Sequence, residues 1–152
     1  MLKYVNYWII FFISFFLDRI TKYWIITGII KPQVIGSCFN IYITFNRGIA
    51  WGIGSNFHSY YSNILYFFIA GLLIYFIYYL KSILHNKILS VACMLILAGG
   101  ISNFIDRIWY GAVVDFLQLH WNYWYFPVFN VADVSITVGA LFILYDLCKA
   151  QE

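Results

Sequence analysis

The sequence predicts an all-α membrane protein with four transmembrane helices, on three observations. Hydrophobic residues make up 64% of the 152-residue chain, against roughly 45–50% in soluble domains. Charged residues are only 10%, and a soluble body of this length has too little interior to hide so much apolar surface. Four apolar segments each approach the ~20 helical residues needed to cross a ~30 Å hydrocarbon core. The same composition excludes a disordered chain. The net charge of +3 comes from scattered Lys and Arg, with no run that could follow a nucleic-acid backbone.

The first predicted span covers about 5–26. Lys3 before an apolar stretch resembles a secretory signal, but Asp18 and Arg19 interrupt the stretch and no small-x-small site follows. It therefore reads as an uncleaved anchor. The second span, about 60–80, carries no charge, and the third and fourth cover about 88–107 and 127–147. Backbone groups in lipid must be bonded within the segment, so all four are expected to be helices. Lys3, Lys81, Lys87 and Lys149 fall on one side of this arrangement, and Lys31 and Arg47 on the other. By the positive-inside rule both termini are expected in the cytoplasm.

Two connections then lie outside, about 27–59 and 108–126. Phe39–Phe45, an aromatic and β-branched alternation, predicts a strand in the first. Gly48, Gly52 and Gly54 follow and suggest tight turns. The second connection is expected to be an extracytoplasmic loop. Cys38, Cys93 and Cys148 form no CxxC pair, which speaks against a disulfide framework or zinc knuckle. Cys93 and Cys148 read as small buried hydrophobes. The whole chain, 1–152, is expected to form a single membrane domain.

Function is sought in polar residues where lipid makes them costly. Asp18 and Lys22 are four apart on one helix face. Asn103, Asp106 and Arg107 gather near the outer end of the third span. Asp133 is expected six residues into the fourth span, roughly 9 Å below its start. Asp115 sits among apolar neighbours in the second outer connection. Asp18–Lys22 and Asp106–Arg107 read either as ion pairs tying helices together or as functional groups, and the residues alone favour neither. Asp115 and Asp133 have no basic residue within four positions, so a functional role is favoured for them.

Two close carboxylates share a proton, so that one takes a proton from water while the other donates to a carbonyl oxygen. This is aspartic-protease chemistry and requires no metal. A proton relay in a small transporter would use the same residues differently, and a purely structural subunit is the third class. No HExxH is present, and His58, His85 and His120 are dispersed. Ser102 lacks a nucleophile-elbow context and reads as a small residue for close helix packing. Asp106 is an alternative partner for Asp133, with Asp115 preferred. Trp121, Trp124 and Tyr125 read as part of an interfacial aromatic belt.

Five blocks in order resemble the lipoprotein signal peptidase family (signal peptidase II). They are Asp18-Arg19-Ile20-Thr21-Lys22, Phe45–Gly52, Gly99–Arg107, Val113-Val114-Asp115-Phe116 and Phe126–Asp133. Ile49, Trp51 and Ser102 depart from that family's usual residues. The resemblance implies a bacterial inner-membrane aspartyl endopeptidase that removes signal peptides from prolipoproteins, cutting before the diacylglyceryl-modified cysteine. Asp115 and Asp133 would be the catalytic pair at the extracytoplasmic face. Asn46, Asn103, Arg107 and Asn130 would position substrate or the pair, and Asp18, Lys22 and Asp106 would hold the framework. The implied partners are diacylglyceryl-modified prolipoproteins and membrane lipid, not nucleic acid. A monomer without cofactor or metal is expected.

Overall fold

The computed structural model describes residues 2–48 and 59–149. In chain order these form α1 (Leu2–Ile26), β1 (Gln33–Ile35), β2 (Phe39–Asn46), α2 (Ser59–Ile83), α3 (Lys87–Tyr110), β3 (Val113–Trp121), β4 (Trp124–Tyr125) and α4 (Val131–Lys149). The protein is thus mostly helical, with a small antiparallel sheet. α3 and α4 are long and apolar enough to cross a bilayer, with mean hydropathy 2.1 and 1.8, and the apolar stretch of α2 runs from Tyr66 to Leu80.

α3 is the central helix. It starts on Asn86, whose side chain accepts the N–H groups of Ile88 and Leu89, and stops at Gly111, where φ is +66°. Those are the acceptor and the left-handed residue that helix ends call for. α1 runs parallel to α3, while α2 and α4 run antiparallel to it. Two reciprocal contacts bring α3 and α4 together: Gly99 faces the Ala132 carbonyl, and Gly139 faces the Ala92 carbonyl. A Cβ at Gly139 would stand 2.7 Å from that oxygen, so only glycine permits such close backbone approach.

The interior has two halves. Tyr7, Leu80, Ile83, Cys93, Met94 and Leu97 form an apolar core. Toward the other end, Asp18, Lys22, Ser102, Asn103 and Asp106 are buried instead. Cys93 is buried as expected, whereas Cys148 lies on the exposed face of α4.

The sheet corrects the expectation of a plain loop at 108–126. β3 pairs with β2, which pairs with β1, and β4 closes the other edge. β2 matches the predicted strand. The register of β2 on β3 shifts once: Ile41 opposes Leu117, but Thr44 opposes Asp115 and Asn46 opposes Val113. β2 therefore uses three steps where β3 uses two, a bulge that holds one extra residue.

The fourth helix also starts later than about 127. Phe129 forms a bridge with Leu117, donating to its carbonyl and accepting its N–H, both at 2.8 Å. Residues 127–129 are thereby extended along β3, and Asn130 begins the helix. Gly52, Gly54, Ile49, Trp51 and His58 lie outside the described residues.

Candidate functional site

Asp133 is the third residue of α4, in its first turn rather than six residues in. The turn carries a reciprocal cap. Asn130 Oδ1 accepts the Asp133 N–H at 2.9 Å, and Asp133 Oδ2 accepts the Asn130 N–H at 3.1 Å. This is the capping-box arrangement built from Asn and Asp, and it fixes the orientation of the Asp133 carboxylate. Asp133 Oδ1 accepts the Asn103 amide at 2.8 Å.

Asp115 reaches the same place from β3. Its Oδ1 accepts Asn130 Nδ2 at 2.6 Å and its Oδ2 accepts Asn46 Nδ2 at 3.0 Å. Asn46 is held in turn by the Gly48 N–H, which donates to its Oδ1 at 2.9 Å. Burial, and then the charge of Asp133, push Asp115 from 3.8 up to about 7, although the Asn46 and Asn130 hydrogen bonds pull the other way. Both acids line a cavity of about 610 Å³ whose walls include Asn46, Leu119, Phe126 and Ile136.

Asp106 is not in that cavity. It pairs with Arg19, and with Lys22 Nζ at 2.7 Å, and it accepts the Val114 N–H at 3.2 Å. The expected Asp18–Lys22 pair is present at 2.8 Å, but the expected Asp106–Arg107 pair is not. Successive side chains on a helix diverge by about 100°, so Asp106 faces α1 while Arg107 faces the sheet. Arg107 donates to the carbonyls of Asn103 and Gly48 at 3.3 and 3.2 Å. Three of the four predicted supporting residues, Asn46, Asn103 and Asn130, therefore touch the two acids, and Arg107 touches neither among the described residues.

The two polar groups are joined. Lys22 Nζ donates to Asn103 Oδ1 at 2.8 Å, and Asn130 Nδ2 donates to the same oxygen at 3.1 Å. With its oxygen engaged twice, the Asn103 amide turns its NH₂ to Asp133. Asp18 acts on α4 directly, accepting the Ala132 N–H at 2.7 Å.

Ser102 and Arg19 do more than the sequence suggested. Ser102 Oγ donates to Asp18 Oδ2 at 2.6 Å, so it is a polar link and not merely a small residue. Arg19 lies over the Trp109 ring at 5.3 Å while it pairs with Asp106. Helical spacing carried the clue to Ser102: Gly99, Ser102, Asn103 and Asp106 stand at i, i+3, i+4 and i+7 on one face.

What this arrangement can do chemically is narrow. Two carboxylates from different elements share a cavity, each oxygen held by an amide or backbone N–H. A pair of this kind can divide one proton between an acid and a base.

Comparison with known proteins agrees with the motif order. The profile of the Signal peptidase (SPase) II family matches residues 10–149. A lipoprotein signal peptidase of Burkholderia cenocepacia is 39% identical over 114 residues, 75% of this chain and 69% of its own length. One from Staphylococcus epidermidis is 36% identical over 145 residues, covering 91% and 86%. A bacterial membrane enzyme solved by the in meso method at 1.9 Å superposes with a TM-score of 0.81 at 32% identity, covering 93% of this chain and 92% of that one. Sequence profile, relatives and backbone agree: this chain belongs to the signal peptidase II family.

Proposed function

We propose that the protein is an aspartyl endopeptidase that removes signal peptides from prolipoproteins, cutting before the diacylglyceryl-modified cysteine, with Asp115 and Asp133 as its catalytic pair. The observation that carries this reading is the presence of both acids on one cavity, on separate elements, with Asn130 bonded to each. Asp133, whose oxygens accept a backbone N–H and the Asn103 amide, takes the proton from the attacking water. Asp115, holding its own proton up to about pH 7, donates to the scissile carbonyl oxygen. The reaction uses no metal and no cofactor.

Four membrane-crossing helices with both termini in the cytoplasm complete the reading, in a bacterial inner membrane with the site at the extracytoplasmic face. The parallel course of α1 and α3, and the antiparallel courses of α2 and α4, support an even number of crossings. The chain would act as a monomer. The substrate's acyl chains and apolar signal helix then stay in lipid while the scissile bond reaches the pair.

The test is cleavage of a diacylglyceryl-modified prolipoprotein by purified wild type, Asp115→Asn and Asp133→Asn, with EDTA in a parallel wild-type reaction. Cleavage that survives chelation and is lost in both variants supports the mechanism. Near-normal cleavage by either variant removes the dyad, and wild-type inactivity on the lipidated substrate removes the substrate assignment.

A further inference from the structure

The extended segment Phe126–Phe129 uses its main-chain groups unevenly. At one end, Leu117 and Phe129 exchange both backbone hydrogen bonds, each at 2.8 Å. At the other, the Phe126 N–H donates to the Leu119 carbonyl at 2.8 Å. Gln118 Nε2 donates to the Phe126 carbonyl at 3.1 Å, and Asn40 Nδ2 donates to the Gln118 side-chain oxygen at 3.1 Å. The segment is thus clamped at both ends. Pro127, between them, has no N–H to give.

Val128 is left over. In a strand, the N–H and C=O of successive residues point to opposite edges. Phe129 turns its pair toward β3, so Val128 turns its own pair away from the sheet. Neither group has a hydrogen-bond partner among the described residues. An unpaired main-chain donor and acceptor are costly beside lipid. They also belong to the site, since Val128 lines the cavity together with Asp115 and Asp133. The register sets their spacing from the acids. Leu117 stands opposite Phe129, which puts Val128 level with Gln118, and from Gln118 back to Asp115 along β3 is roughly 10 Å at ~3.3 Å per residue.

A held strand edge with one open donor and one open acceptor suits an extended peptide, which it binds by main-chain pairing. We propose that the peptide to be cut docks as an added strand on the Phe126–Phe129 edge, where one of its residues, about three positions from the scissile bond, exchanges both hydrogen bonds with Val128. This rests on the peptidase reading above and adds how the substrate chain is aligned. Such an edge reads main chain and not side chains, so it fixes the register of the scissile carbonyl against the acids while tolerating varied sequence. Because Gln118 and Asn40 already hold the edge, little freedom is lost there on binding.

The test removes hydrogen bonds and keeps side chains. Incorporating α-hydroxyvaline in place of Val128 exchanges the amide for an ester and deletes the N–H. On a synthetic diacylglyceryl-modified lipopeptide, KM is expected to rise roughly five- to tenfold with kcat little changed. The Tm should hold, whereas the same exchange at Phe129 breaks its bond to Leu117 and should lower it. In a second measurement, wild type is given lipopeptides N-methylated singly at residues roughly two to four positions from the scissile bond. One position should lose cleavage roughly tenfold and its neighbours should not. An unchanged KM in the ester protein, or equal tolerance or equal loss across the N-methyl series, overturns the proposal and leaves the peptidase reading intact. If the ester protein does not fold, the N-methyl series decides alone. Wild-type inactivity on the unmethylated lipopeptide removes the peptidase reading, and the proposal with it.

Discussion

Replacing Asp115 by Asn is expected to abolish cleavage while making the protein more stable above pH 7, and the structure gives the size of the gain. Asp115 is 2% exposed, and burial with the Asp133 charge raises it from 3.8 to about 7. Between those values the folded protein keeps a proton that the unfolded chain has released. Stability therefore falls as pH rises through that window and levels off above it. The rise from 3.8 to about 7 corresponds to about 4 kcal/mol. The substitution removes this loss but places an amide N–H₂ against donors, since Asn46 and Asn130 both donate to the Asp115 carboxylate. One mismatched donor costs about 1–2 kcal/mol. The net gain above pH 7 is then about 2–3 kcal/mol, or a Tm rise of roughly 5–10 °C. Thermal unfolding of wild type and Asp115→Asn in detergent from pH 4 to pH 8 reads it out. The two curves should separate as pH rises, with wild type falling. Parallel curves across the window refute the idea that Asp115 is a strained acid held in this site at a cost to folding.

Three further outcomes are expected. Gly99→Val pushes α4 off α3 at the Ala132 carbonyl, stretching the Asn103–Asp133 bond; overpacking of this kind costs roughly 1–3 kcal/mol, and cleavage should fall far more than for Gly71→Val, since nothing among the described residues lies within 4 Å of a Cβ at Gly71. Lys22→Met leaves Asp18 and Asp106 without their shared ammonium, at a cost of about 3–5 kcal/mol; Asp18→Asn/Lys22→Met, which keeps the Arg19–Asp106 pair, should recover part of the lost Tm. Asn130→Ala removes a helix cap worth about 1 kcal/mol and a hydrogen bond that lowers Asp115, so the alkaline limb of the pH–rate profile should move to higher pH.

The helices and the two acids were legible because their signals are local. Apolar runs mark long helices, and an acid without a basic neighbour stands out within one, as Asp133 does, or among apolar residues between two, as Asp115 does. β2 was legible by its alternation. β3 was not, because residues 113–116 are buried on both faces and so show no alternation, and its partner lies some seventy residues earlier. The start of α4 was misplaced for a related reason. Phe126, Pro127, Val128 and Phe129 have the hydropathy of a span, yet their backbone bonds go to β3, which only the fold could reveal. The Asp106–Arg107 pair failed where adjacency in sequence was read as proximity in space. Arg19, in the Asp18–Lys22 block, supplies the partner, from a helix that only packing brings alongside.

The bulge in β2 has a consequence for which changes the chain can tolerate. Ile41 and Asn46 are five positions apart, an odd interval that in an uninterrupted strand would send them to opposite faces. Their partners on β3, Leu117 and Val113, are four apart and share a face. The extra residue between Ile41 and Thr44 thus acts as a phase shift, letting one strand run in step with the apolar end of the sheet and then with the end that carries Asp115. Point substitutions at Tyr42 or Ile43 leave that phase alone, whereas deleting either one reverses it and turns Asn46 away from Asp115. In this strand the count of residues is under tighter constraint than their identity.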